Sequence, residues 1–411
     1  MQNRATYLWV LFLIPAASRF GHYLAPNQPI FKGHDYGIII SALLIVVATA
    51  LWIPYRRHGS WPVSALLFFA TATVAWVYQV LRTHLDDSLF SLTVFVLPAA
   101  ILLITLKRFS RKDTWIALWV LGYSLLAIAL LSLVLGSFGL TPDGFLVSQS
   151  AASRIPWLNE IAPTRWGGPF GSVNYAAPVG GLLVLMGLSG NKPIATPLLF
   201  GGALILILSQ GRTALFALTA AATVQLLWGS RIAGRIHAPL IRITVFLTLG
   251  AGLLFYFFAI DGTLNGRTQV WQHFSHTFRD APLIGIGDSG VLRHVEEYVR
   301  LENIVPHTHA HSVMLDTYIR FGAILAILGV ALYALALRST IRALPEIGST
   351  PLAIVVFVIA AGLAETIHAW ANWSIYLAAL TWTVLVSGSS NDGENNPMIS
   401  STSLSLERGS A

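Results

Sequence analysis

Apolar residues run in long blocks along this chain, and polar residues are confined to the gaps between them. Blocks near 5–20, 37–54, 62–81, 88–106, 115–135, 173–190, 195–210, 212–229, 239–260, 312–337, 351–369 and 371–387 stand out. A helix crosses a bilayer with about 20 apolar residues. The blocks are too long for barrel strands and do not alternate. The pattern predicts an all-α polytopic membrane protein with about twelve transmembrane helices. Three boundaries are weakly marked. The first block holds Pro15 and Arg19, and only Ser209-Gln210-Gly211-Arg212 parts the seventh from the eighth. The last two are parted by polar breaks around His368 and Asn372. Ala16-Ala17-Ser18 has the small-residue pattern of a signal-cleavage site, but only Arg4 precedes the block and many spans follow. It is read as a retained helix.

Composition agrees with this picture. Of 411 residues 55% are hydrophobic and only 10% charged, against about 25% charged in soluble domains. That excludes a cytosolic enzyme and a disordered chain. No cysteine is present, so disulfide scaffolds, thiolate nucleophiles, cysteine-held zinc and iron–sulfur clusters are excluded too.

Charge then sets orientation. Connections 55–61, 107–114, 191–194, 230–238 and 338–350 all hold Lys or Arg, and all join an even span to the next odd one. They belong on the cytoplasmic side, with both termini. The expected organisation is one transmembrane domain over 1–387 and a disordered cytoplasmic tail over 388–411, rich in Ser, Asn and Gly.

Two long connections, 136–172 and 261–311, fall on the outer side. They carry Arg154, Arg165, Arg267, Arg279, Arg293 and Arg300, with Arg212 at a helix mouth on the same face. Arg320 falls about 13 Å inside the tenth span at 1.5 Å per residue. An arginine at that depth is retained when it faces a partner or a wet cavity. The group reads as an outward-facing anion site.

Residues 266–278 have the spacing of a short amphipathic surface helix, and the glycines of Gly285-Ile286-Gly287-Asp288-Ser289-Gly290 read as a turn. Without a strand before it, that run is no dinucleotide fingerprint. His307, His309 and His311 alternate ahead of the tenth span. Three readings stay open for them: imidazole ligands for zinc or copper, interfacial groups bonded to loop carbonyls, or a base poised near neutral pH. Asp316 and Arg320 stand four apart and can pair on one helix face. Glu365, His368 and Asn174 are further polar groups within spans, serving either function or helix-to-helix contact.

The His311-x-x-x-Leu315-Asp316 element, followed by Phe321-Gly322, resembles a signature of the O-antigen ligase and O-antigen polymerase superfamily. Arg165-Trp166-Gly167-Gly168-Pro169-Phe170 with Asn174, Ser209-Gln210-Gly211-Arg212, and Gly266-Arg267 with Trp271 and Pro282 to Gly287 resemble further elements of it, in the same order. The resemblance runs from about 165 to 337.

It implies a bacterial inner-membrane glycosyltransferase of the GT-C type, working on the periplasmic face without metal or cofactor. The implied donor is a glycan on undecaprenyl pyrophosphate, the acceptor lipid A-core or another glycan, with membrane lipid and no nucleic acid as further surroundings. By motif match Arg212 and Arg267 would meet the pyrophosphate, and His311 would deprotonate the acceptor. Asp316 would orient that histidine or the loop; Arg165, Asn174, Arg320 and His309 are further substrate-binding candidates. Ser312 stands where the family often has Asn, and Asp316 where Glu is commoner. These departures leave ligase, polymerase and protein O-glycosyltransferase unseparated, and the short chain and modest outer loop favour a ligase. A transporter or flippase for an anionic lipid-linked substrate is the rival class, but no internal repeat supports it.

Overall fold

The computed structural model describes residues 5–20, 30–52, 109–138, 165–189, 193–233, 282–287, 311–365 and 374–388, with 70, 73–74, 77 and 290–291 singly. Among these, all regular structure is helical. The helices are α1 (Thr6–Ala17), α2 (Ile30–Trp52), α3 (Arg111–Ser137), α4 (Val173–Ser189), α5 (Thr196–Ser209), α6 (Arg212–Ala233), α7 (Val313–Ile347), α8 (Thr350–Ala364) and α9 (Ile375–Gly388). Two 3-10 turns, Ser18–Phe20 and Gly168–Phe170, cap α1 and precede α4. Each helix falls on a predicted span. The blocks at 88–106 and 239–260, and nearly all of 62–81, lie outside the described residues. Two helices, α3 and α7, are long and apolar enough to cross a bilayer; several others are shorter and apolar.

The core is built where α4, α5, α6 and α8 pack, with α7, α9, α1 and α3 around them. Leu8, Leu11 and Phe12 of α1 are fully buried, so the first block is an integral part of the bundle. Gly180 and Gly202 let α4 and α5 approach closely: a Cβ on either would sit under 3 Å from the other's carbonyl oxygen. Small residues of this kind let helix backbones touch where lipid gives no hydrophobic drive.

Polar contacts gather at the two ends of the bundle. At one end Arg111 pairs with Glu346 at 3.3 Å, Ser349 donates to the Gln225 carbonyl at 3.1 Å, and the Trp382 indole donates to the Thr114 carbonyl at 2.8 Å. These tie together the basic connections that the charge pattern assigns to one side. Helix α7 also continues ten residues beyond the predicted end of its span, even through Pro345 in its last turn. It stops at Gly348, whose φ of 77° only glycine adopts at no steric cost.

Helix α7 is broken at Gly322, where φ is 79°. The break leaves the Ile319 carbonyl and the Ala323 and Ile324 amides without helical partners. Residues 282–286 supply them: Ile286 N donates to Ile319 O at 2.9 Å, and Ala323 N to Pro282 O at 2.9 Å. Ile324 N reaches Leu283 O at 3.5 Å. Gly285 and Gly287, both left-handed, make the turn their spacing predicts. Residues 282–287 of the predicted outer connection thus dock about 9–15 Å along the helix from Val313, at 1.5 Å per residue. Irregular backbone packed against a helix keeps its polar groups paired in this way.

Candidate functional site

The opposite end of the bundle carries the residues singled out by sequence. Helix α5 ends at Ser209, Gln210 turns left-handed with φ 52°, and its amide donates to the Leu206 carbonyl at 2.8 Å. Gly211 presses against Ala177 of α4, leaving no room for a Cβ. Arg212 therefore opens α6 at a fixed point, where the unpaired amides and dipole of a helix N-terminus add to its attraction for anions.

The 165–167 segment is tied to the same place, because Trp166 N donates to the Leu208 carbonyl at 2.9 Å. Arg165 thus comes within the field of Arg212. Burial first, and then that like charge, hold its guanidinium below the usual arginine value. Its Nε is buried and without a hydrogen-bond partner among the described residues. The Trp166 ring meets Phe170 edge-on at 6.2 Å. Asn174 lies in the first turn of α4, half-buried, just after the left-handed Gly171. Two like charges are thus brought close at a helix mouth, an arrangement whose field favours anions.

His311 stands directly before α7 with φ 51°, a conformation that costs a non-glycine residue about 1–3 kcal/mol. Among the described residues, only Gln210 and His311 are non-glycines with positive φ, and both lie at this site. The His311 Nδ1 lies 3.2 Å from Oε2 of Glu365, with both side chains largely buried. Glu365 reaches it because the chain turns extended at the end of α8 (φ −146°, ψ 147°). Facing a carboxylate, Nδ1 carries the hydrogen and Nε2 the lone pair.

Asp316 is engaged by a neighbour on its own helix. It accepts from Arg320 Nε at 2.8 Å, one helical turn away, and both groups are largely buried. The reason is local: i,i+4 side chains on one helix meet without any tertiary demand. Tyr175 of α4 joins the parts, lying within electrostatic reach of Asp316, Arg320 and Glu365. Its carbonyl accepts from the Tyr376 hydroxyl at 3.1 Å.

The structure therefore brings His311, Asp316 and Arg320 to one end of the bundle, and Arg165 and Arg212 to the same end. Arg267, His307 and His309 lie outside the described residues. Among the described residues, no three His, Asp or Glu side chains converge as metal ligands. Sequence reasoning named Glu365 as a polar group in a span but gave it no partner. Tyr175 it passed over, and no local pattern marks it.

Among the described residues these features define a helical bundle, two of whose helices are long and apolar enough to cross a membrane, with cationic and titratable groups gathered at one end. Residues 197–330 match the family described as O-antigen ligase, a stretch taking in α5, Arg212, His311 and the first half of α7. Over that stretch, about a third of the chain, the protein is similar to the O-antigen ligase family, which supports the resemblance to the O-antigen ligase and polymerase superfamily. No curated protein matches the chain.

Proposed function

We propose that this protein transfers a glycan from undecaprenyl pyrophosphate to a lipid A-core acceptor on the periplasmic face of the inner membrane. The observation that carries the reading is the His311–Glu365 pair at the same end as Arg165 and Arg212. Nε2 of His311 takes the proton of the acceptor hydroxyl. The oxygen attacks the anomeric carbon as the bond to the pyrophosphate oxygen breaks, with inversion. The electron pair leaves with undecaprenyl pyrophosphate, whose growing charge Arg212 and Arg267 stabilise. Arginine suits this because its forked donors match phosphate oxygens. Asn174, Arg320 and His309 remain substrate-facing candidates, and Asp316 holds Arg320.

The test is release of undecaprenyl pyrophosphate by the purified protein given a lipid-linked glycan and lipid A-core. His311→Ala is expected to abolish release, and Arg212→Lys to be nearly as damaging as Arg212→Ala. A mild Arg212→Lys phenotype would count against forked phosphate binding. Lipid-linked glycan that lengthens without core acceptor would assign a polymerase instead. Loss of activity in EDTA with recovery in zinc would replace the base with a histidine-held metal.

A further inference from the structure

Arg19 is a charged residue at this end of the bundle to which the sequence assigns nothing beyond breaking the first apolar block. It sits in the 3-10 turn Ser18–Phe20 that closes α1. That turn packs against the Gly168–Phe170 turn and against α2, where Gly37 backs onto the Ser18 carbonyl with no space for a Cβ. The backbone carrying Arg19 is therefore held firmly beside the site.

Among the described residues no acidic side chain forms an ion pair with it. The Nε of Arg19 is buried and has no hydrogen-bond partner among the described residues. The titratable groups that act on it are the phenols of Tyr175 and Tyr376, neutral at pH 7 because tyrosine titrates near 10. Of the two buried carboxylates that act on Tyr175, Asp316 accepts from Arg320 at 2.8 Å and Glu365 faces His311 at 3.2 Å. A phenol offers a lone pair and an O–H but no negative charge. A guanidinium among helices without a counter-charge is costly, and an anionic ligand offsets that cost.

We propose that Arg19 and the Tyr175 hydroxyl form a second phosphate-binding point at the outer end of the bundle, distinct from Arg165 and Arg212. The ligand class is a phosphate ester of a membrane lipid. Guanidinium donors fit its oxygens in a fork, and the phenol adds a further donor. The inference deepens the proposed function and rests on it where the phosphate belongs to the lipid-linked donor. A phospholipid head group carries the same chemistry, and the experiment separates the two.

The full-length protein is placed in phosphatidylcholine nanodiscs and titrated with undecaprenyl pyrophosphate. Arg19→Gln is expected to weaken binding about tenfold, as loss of one charge-assisted contact does, with Arg19→Lys intermediate. In a second arm, heat resistance is compared in phosphatidylcholine and phosphatidylglycerol nanodiscs without added ligand. Stabilisation by phosphatidylglycerol that Arg19→Gln loses, with pyrophosphate affinity unchanged, assigns the point to a head group. Unchanged behaviour in both arms overturns the proposal and leaves Arg19 as a side chain reaching to the interface. In detergent alone Arg19→Gln is expected to melt at or above the wild-type temperature. A fall of several degrees would reveal a partner within the protein and also overturn it. Arg212→Gln run in parallel separates the two readings: if it binds as wild type while Arg19→Gln does not, the assignment of Arg212 fails and that of Arg19 stands.

Discussion

The Nδ1 of His311 and Oε2 of Glu365 lie 3.2 Å apart, though 54 residues separate them along the chain. A carboxylate in that position fixes the tautomer and the ring plane, so that Nε2 presents its lone pair in one direction. Glu365→Ala is expected to lower kcat for glycan transfer about 10–100-fold, less than loss of the base itself, for which general-base catalysis sets about 10²–10⁴-fold. KM for the acceptor should be nearly unchanged, since Glu365 acts through the histidine. A rise in KM with kcat intact would assign Glu365 to substrate binding instead.

The Asp316–Arg320 pair is largely buried, with Nε and Oδ2 2.8 Å apart. Breaking such a pair from one side strands the other charge, at a cost of about 3–5 kcal/mol. Asp316→Asn should therefore melt well below the wild type in detergent. The double variant Asp316→Asn with Arg320→Gln should recover most of the loss. Equal melting of the single and double variants would show that the pair is not the source of the cost.

Two left-handed glycines of α7 and its end separate sterics from backbone preference. A Cβ on Gly322 would overlap the Leu283 carbonyl, while one on Gly348 meets nothing within 4 Å. Gly348→Ala should cost only the left-handed penalty of about 1–2 kcal/mol. Gly322→Ala should cost much more, detected as poor yield or a large drop in melting temperature. Similar behaviour of the two variants would contradict the close docking of 282–286.

Arg165 lies within the field of Arg212, so an anion between them relieves a repulsion as well as gaining contacts. Arg165→Gln is expected to raise KM for the lipid-linked donor about tenfold, with a weaker salt dependence, because a charge-assisted contact is lost. An unchanged KM at low and high salt would remove Arg165 from donor binding.

How much of this was legible in the sequence depends on the range of each contact. The helices follow from apolar blocks, because a bilayer requires length and hydrophobicity before anything else. Asp316 with Arg320 was legible because four residues is one helical turn. Arg212 at a helix mouth was legible because Gln210-Gly211 interrupts an apolar run. Glu365 as the partner of His311 was not, since it depends on how the far end of α8 meets the start of α7. The break at Gly322 was hidden for a different reason: one glycine amid Phe321, Ala323 and Ile324 is an ordinary helix sequence, and only the carbonyls of 282–286 make its left-handed form worthwhile.

The docking of 282–286 on the broken turn of α7 makes the outer connection a lever. Its fulcrum is the pair of backbone bonds from Ile286 to Ile319 and from Ala323 to Pro282, which flank Arg320 on either side. Separating them would strip amides and carbonyls of their partners. A displacement of 282–286 is therefore shared with the turn that bears Asp316 and Arg320, and with the helix start that follows His311.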